Sequence, residues 1–240
     1  MSAFDLEPGE LEARARVVLE GLLSAEAATL LLPGAAFERS QLVPQLVSAM
    51  RELHRFLRAN GWRIAAVEER VTAQSRMGPI TGRLDLRLVN ARGLEAVLDL
   101  KWGASSYRAS VERGHAVQLA LYARAIQKQG SADMPPAGYF SLSSGRVITT
   151  DHRLGASRAR SGPTLEDTLR RVENTAEAVR RSLGAGTVLV AATAAARPML
   201  EALGVPHSEH IRHHALSTKD AACMYCDFPA ICGRSWERIR

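Results

Sequence analysis

The stretch "GRLDLRLVNARGLEAVLDLKWG", Gly82 to Gly103, predicts two strands joined by a tight turn, with charged residues where the strands end. Apolar and polar residues alternate in "GRLDLRLV", as they do in a half-buried strand, and "NARG" supplies the turn. "LEAVLDLKWG" is an apolar run that ends in Asp99 and Lys101. Because side chains repeat every two residues along a strand, Asp99 and Lys101 share one face. The neighbouring strand can bring Asp85 close to Asp99.

The two aspartates predict a divalent-cation site. Like charges that lie this close are costly unless a cation lies between them. Mg²⁺ binds carboxylate oxygens and keeps several waters, one of which can attack a phosphodiester. Lys101 would orient or deprotonate that water, because lysine can release its proton and arginine effectively cannot. Arginine is the usual cation of this chain, whose only lysines are Lys101, Lys128 and Lys219.

The rest of the chain predicts helices on both sides of a small sheet. "WRIAAVEERVTAQ" predicts a strand before the hairpin, and the short connections favour an antiparallel meander. Periodicity predicts helices over residues 9–32 and from about Ser40 to Asn60-Gly61. In "SYRASVERGHAVQLALYARAIQKQG" the second half predicts a helix that ends at Gly130. "PPAGYFSLSSGRVITTD" predicts two short strands, and "TLEDTLRRVENTAEAVRRSLGAG" a helix capped by Thr164.

The order of these features resembles the core of the PD-(D/E)XK nuclease superfamily, which has an Asp, a hairpin and then Asp-x-Lys at a strand end. "HAVQLALYARAI" carries Gln118 and Tyr122, which are four residues apart and share one face of a helix. A Gln-x-x-x-Tyr motif after the Asp-x-Lys strand resembles the RecB-like branch. That branch includes the nuclease domains of helicase-nucleases and the CRISPR-associated adaptation nucleases.

The resemblance implies a role for each matching residue. Asp85 and Asp99 would hold Mg²⁺ or Mn²⁺ together with the carbonyl of Leu100, and Lys101 would act on the attacking water. Gln118 and Tyr122 would position DNA or the metal site. Further matches are the strand glutamate, Glu68, and the helical histidine that is an extra metal ligand in many members, His54, whose alternative is a core histidine. Arginines near the motifs are candidates for phosphate contacts: Arg83, Arg108 and Arg113.

The three cysteines, Cys223, Cys226 and Cys232, form a C-x2-C-x5-C segment. An odd, clustered set favours a metal site over a disulfide framework. The segment resembles the C-terminal part of RecB-like nucleases that carry a [4Fe-4S] cluster, in which a fourth cysteine precedes the nuclease core.

This chain has no upstream cysteine, so the fourth ligand stays open. It could be a histidine of this chain or lie on another chain. The histidines available are His207, His210, His213 and His214. Zinc bound by three cysteines and one histidine is the second alternative, and an empty remnant of a cluster site is the third.

The resemblance covers roughly residues 54–235 and implies an α/β fold with a restriction-endonuclease-like core, a mixed sheet flanked by helices. We expect an N-terminal helical region over residues 1–60, the nuclease core over 61–185 and a C-terminal region with the cysteines over 186–240, together one compact unit. A net charge of +6 and a pI of about 9.7 favour a polyanionic partner, although arginine codons of a GC-rich genome would have the same effect.

The expected function is metal-dependent hydrolysis of DNA, single-stranded or at ends, in repair, recombination or the processing of foreign DNA. The alternative is a catalytically inactive DNA-binding or structural subunit that works with a helicase or another protein. A metal-binding regulatory protein is a weaker third reading. The chain contains no run of about 18 apolar residues, so no membrane helix is expected. Its first residues lack the features of a signal peptide, so we expect a cytoplasmic protein.

Overall fold

The computed structural model describes residues 6–127, 133–155 and 159–186. The chain divides into two compact units, Met1–Thr168 and Leu169–Arg240. The first unit contains the whole sheet, and the described part of the second is a helical segment that ends at Gly184. None of the helices in the described ranges combines the length and the apolar character needed to cross a membrane.

The sheet has five strands in the order β1-β2-β3-β4-β5. They are β1 Trp62–Ser75, β2 Gly78–Asn90, β3 Glu95–Lys101, β4 Ala137–Ser141 and β5 Arg146–Ile148. β1, β2 and β3 pair antiparallel, which confirms the predicted meander. β4 joins β3 in parallel and β5 pairs antiparallel with β4, so the sheet is mixed, as predicted.

The described ranges contain five α-helices. They are α1 Pro8–Glu26, α2 Ala36–Ala59, α3 Ser105–Arg113, α4 Val117–Ile126 and α5 Leu165–Gly184. Single turns of 3₁₀ helix occupy Ala28–Leu31, Pro33–Ala35 and His152–Leu154. The predicted cap of α5 is confirmed. The Asp167 N–H donates to Oγ1 of Thr164 at 3.1 Å, and the Thr164 N–H donates back to the Asp167 carboxylate at 3.3 Å.

The helices differ from the sequence prediction in four places. α1 ends at Glu26 rather than at residue 32, because the chain continues as a single turn of 3₁₀ helix at Ala28–Leu31. α2 begins at Ala36 rather than near Ser40, because the 3₁₀ turn before it leads directly into the helix. α3 is a separate helix that the pattern did not resolve, and Gly114, with φ +70°, ends it in a left-handed conformation. α4 ends at Ile126 rather than Gly130, because Gln127 takes up an extended backbone.

Different helices pack on the two faces of the sheet. Leu86, Leu88 and Leu98 pack with Leu57 of α2 and Phe140 of β4 in one apolar core. Side chains alternate along a strand, so the odd-numbered residues of β3 point to the other face. α4 contacts β1, β2, β3 and β4, and its buried residues lie outside that core. α4 therefore covers the face onto which Asp99 and Lys101 project.

Candidate active site

The site lies where the ladder between β2 and β3 ends. The last regular pair is Leu86 with Leu98, and one step further along the register Asp85 comes opposite Asp99. There the Leu100 N–H donates a hydrogen bond to Oδ2 of Asp85 at 2.6 Å. This bond fixes the Asp85 carboxylate beside β3. In an extended strand the N–H and C=O of one residue point to the same side, so the Leu100 carbonyl also faces β2.

Asp99 is the buried acid of the site. Its side chain is 0% exposed, and Oδ2 lies 2.7 Å from Nζ of Lys101. Neither carboxylate oxygen receives a hydrogen bond of regular geometry from the residues that the structure describes, so the short contact with Lys101 is an ion pair without a directional donor. Burial raises the pKa of Asp99, and the charge of Asp85 adds to this effect. Lys101 opposes the shift but does not cancel it.

Lys101 is a charged ammonium in this structure. Burial is the largest single influence and lowers its pKa, but the 2.7 Å contact with Asp99 and the attraction to the charges of Asp99 and Asp85 together raise it by more. The net result is a pKa above the usual lysine value. Nζ also lies over two aromatic rings, 5.9 Å from the centroid of Tyr107 and 6.0 Å from that of Tyr139.

Sequence reasoning missed both tyrosines. Tyr139 of β4 pairs with Asp99 across the parallel register, and burial, followed by the charge of Asp99, raises its pKa. Tyr107 lies in the first turn of α3. The strand "AGYFS" was predictable, but its placement beside β3 depends on the α3–α4 crossover. The only sequence signal was an aromatic residue in a buried strand and another shortly after Lys101.

Gln118 and Tyr122 belong to α4, the helix that covers the face onto which Asp99 and Lys101 project. Nε2 of Gln118 donates a hydrogen bond to the Tyr122 hydroxyl at 3.1 Å, as their spacing predicts for one helical face. The Tyr122 ring lies against β2, since a Cβ added at Gly82 would come 2.7 Å from its Cε1. Tyr122 also contributes to the raised pKa of Tyr139, which neighbours Asp99 in the sheet.

Glu68 lies opposite Asp85, but its side chain points into solvent. The β1–β2 register pairs Val67 with Leu86 and Glu69 with Leu84, so Glu68 takes the position across from Asp85. Its φ of +52° is the only positive value at a non-glycine residue in the part of the chain that the structure describes. Its carboxylate lies 3.0 Å from Nε of Arg83 in an exposed ion pair.

The structure does not bring His54 to the two aspartates. His54 belongs to α2, whose apolar side packs on the opposite face of the sheet. Across residues 6–127, 133–155 and 159–186, no group of three or more His, Cys, Asp or Glu side chains is arranged to hold a metal ion. Arg108 is half-buried beside Tyr107, and Arg113 ends α3. The cysteine segment and the four histidines before it lie outside the described residues.

Asp85, Asp99 and the Leu100 carbonyl fit a divalent cation. Asp99 offers two buried oxygens that have no directional donor in the described part of the chain, and a cation would compensate the cost of their charge. Two carboxylates and one carbonyl suit Mg²⁺, which usually keeps several waters rather than an all-protein shell. Mn²⁺ prefers the same oxygen ligands.

A mixed sheet flanked by helices, with two aspartates and a lysine where β2 and β3 part, is a restriction-endonuclease-like α/β core. The family model of the PD-(D/E)XK nuclease superfamily matches residues 4–233, and the chain belongs to this superfamily. Its members are generally nucleases and typically use Mg²⁺ or Mn²⁺. A comparison with curated proteins gives no significant match.

Proposed function

We propose that the protein is a Mg²⁺- or Mn²⁺-dependent DNA nuclease of the RecB-like type. The observation that carries this proposal is the buried Asp99 carboxylate, which lies between Asp85 and Lys101 and has no directional hydrogen-bond donor among the described residues. A structural ion pair would normally have its remaining oxygen atoms satisfied by donors. Groups whose burial and charges shift their pKa values cluster at functional sites. DNA is the substrate on which a nuclease of this superfamily would act.

Each residue of the site has its own proposed role. Asp85, Asp99 and the Leu100 carbonyl would hold the cation, which when bound supplies an activated water and neutralises charge on the phosphate. Lys101 orients the water and stabilises negative charge on the phosphate, since its raised pKa keeps it protonated next to Asp99. If the cation neutralised the Asp99 charge, the pKa of Lys101 would fall, so Lys101 could lose its proton to solvent and then accept one from the water. Gln118 and Tyr122 position the DNA strand.

Cleavage of labelled DNA in the presence of Mn²⁺ tests this assignment. Wild type should cleave single- or double-stranded DNA, and Lys101→Ala should lower kcat by roughly 10²–10⁴-fold, the usual range for losing a group that transfers protons. Lys101→Arg should also lose most activity, because arginine keeps the charge but not the proton exchange. Arg55→Ala is the matched control, since it removes an exposed cation from α2. Equal activity in wild type and Lys101→Ala would contradict the assignment.

The C-x2-C-x5-C segment supports a [4Fe-4S] cluster, with zinc as the alternative. Metal analysis and visible absorbance of protein purified without oxygen distinguish the two. Iron and sulfide with broad visible absorbance support the cluster, whereas one zinc per chain without colour supports a site of three cysteines and one histidine. We place the protein in DNA repair, recombination or foreign-DNA processing on the same resemblance.

A second candidate is an inactive DNA-binding subunit of a helicase-nuclease-like complex. The observation that favours it is the absence of a cysteine before Cys223, which leaves the cluster set one cysteine short in this chain. In that case wild type and Lys101→Ala would bind DNA equally and neither would cleave it with Mn²⁺. Intact Asp85, Asp99 and Lys101 make this the less favoured candidate.

A further inference from the structure

The ammonium of Lys101 lies between the rings of two tyrosines. Nζ is 5.9 Å from the centroid of Tyr107 and 6.0 Å from that of Tyr139, and the two rings are 5.0 Å apart at an angle of 52°. Cation–π attraction acts over separations of up to about 6 Å. Tyr139 is buried in β4, whereas Tyr107 is half-buried on α3, so the two rings form a wall made by separate elements.

The two tyrosine rings differ from Asp99, the other partner of Lys101, because they would not bind the cation. Asp99 holds the ammonium at 2.7 Å in the structure as it stands. If the Asp99 oxygens bind a divalent cation, Lys101 loses much of that attraction and faces an additional positive charge. The tyrosine rings carry no charge and are not needed as metal ligands. Their contact with Lys101 therefore persists when its ion pair weakens.

We propose that Tyr107 is a positioning residue for Lys101: its ring, together with that of Tyr139, holds the ammonium in place when Asp99 binds the cation. This inference rests on the proposed function in so far as it assigns Lys101 a catalytic role. Tyr107 is the ring to test, because Tyr139 is also a buried residue of the sheet. The contribution comes from the face of the ring and not from the hydroxyl.

The lysine content of the chain makes the contact directly observable. Only three lysines are present, so lysine labelled with ¹³C at its ε-carbon gives three ε-methylene signals in a ¹H–¹³C spectrum. Lys101→Arg assigns one of them, and the other two serve as internal references. We expect the Lys101 signal to be shifted upfield by the ring currents of the two tyrosines, both without metal and after addition of Mg²⁺.

Substitutions of Tyr107 test whether its ring causes the upfield shift of the Lys101 signal. Tyr107→Phe keeps the ring and should keep the shift, whereas Tyr107→Leu and Tyr107→Met should move the Lys101 signal towards the two reference signals. Leu and Met provide two apolar replacements, and a thermal melt shows which of them is folded. An unchanged Lys101 signal in a folded Leu or Met variant would overturn the proposal.

Kinetics give the second readout. Tyr107→Leu should lower kcat by roughly 10-fold, about the effect expected of one partly buried cation–π contact, with KM for DNA and the Mn²⁺ requirement unchanged. Tyr107→Phe should stay within about twofold of wild type. A Phe variant as impaired as the Leu variant, or a loss confined to KM, would contradict a positioning role. If wild type itself does not cleave DNA, the proposed function fails, while the spectra still decide whether the ring holds Lys101.

Discussion

The surroundings of Asp99 oppose its ionised form, and the cost of this charge lowers the stability of the metal-free protein. Its side chain is fully buried, Asp85 is nearby, and Lys101 provides only partial compensation. Active sites commonly retain such groups at the expense of stability. Replacing Asp99 with a neutral residue should therefore stabilise the fold, although it would remove a proposed metal ligand.

Asp99→Asn should raise the free energy of unfolding of the metal-free protein by about 0.5–2 kcal/mol near pH 7. A raised pKa means that the folded state binds the proton more tightly than the unfolded state, so ionisation destabilises the fold. This destabilisation is absent below the unfolded pKa of about 3.9 and complete above the folded pKa. Urea unfolding of both proteins between about pH 4 and 8 measures the difference.

The pH series contains its own control. The advantage of Asp99→Asn should be smallest at the acid end, where Asp99 is largely protonated in the folded state and about half protonated in the unfolded state. Lys101 also has a raised pKa, but its stabilisation is complete below the unfolded lysine pKa of about 10.4 and is therefore constant over this range. An advantage that is independent of pH would show that burial of the charge is not the cause.

The placement of Asp85, Asp99 and Lys101 follows from local rules, and that of the tyrosines does not. A period of two and a short turn are enough to predict that the two aspartates meet and that Lys101 shares their face. Tyr139 reaches Asp99 through a parallel register, which no local pattern specifies. Tyr107 depends on how α3 returns the chain across the sheet. Their contact with Lys101 required the tertiary structure.

At the scale of elements, the long β1–β2 hairpin shapes the site through two backbone features. Glu68 stands in a left-handed conformation across from Asp85, and Gly82 leaves room for the Tyr122 ring of α4. The strands were predictable from alternation. The strain at Glu68 and the close approach at Gly82 were not, because each depends on the neighbouring element.

Gly82→Ala should destabilise the protein by about 1–3 kcal/mol and lower nuclease activity. The added Cβ would come 2.7 Å from Cε1 of Tyr122, so the ring must move away and its hydrogen bond with Gln118 is lost. Thermal unfolding and cleavage assays measure the two effects. Gly103→Ala is the control, since a Cβ there meets nothing within 4 Å. In a Tyr122→Ala background, Gly82→Ala should cost little; a full cost there would place its cause elsewhere.

Glu68→Gly tests whether the residue is strained or catalytic. Glycine adopts a positive φ without penalty, so the variant should gain about 1 kcal/mol from the backbone. The exposed ion pair with Arg83 that it loses is worth less than about 1 kcal/mol. Equilibrium unfolding and a cleavage assay are read together. Unchanged or higher stability with normal activity would mean that Glu68 serves only to form the backbone bend. A large loss of kcat would support the catalytic role that the resemblance implies.

At the scale of the whole molecule, the net charge follows directly from the sequence, but the position of the DNA-binding charges on the surface does not. The net charge is +6. The family match makes a polyanionic substrate the natural partner. Arg83 lies on the same strand as Asp85 and is 70% exposed at its side chain, so it is well placed to reach a phosphate near the site.

DNA affinity should therefore depend strongly on salt. For four phosphate contacts to a single strand, the slope of log K against log salt is about −2.8, so raising salt from about 50 to 200 mM weakens binding roughly 50-fold. Fluorescence anisotropy in EDTA measures this slope without cleavage. Arg83→Ala should reduce the slope by about 0.7, the share of one contact to a single strand. Arg55→Ala, which removes an exposed cation from α2 on the other face of the sheet, should leave it unchanged. Equal reductions in both variants would mean that the whole surface charge attracts DNA, and that Arg83 makes no specific phosphate contact.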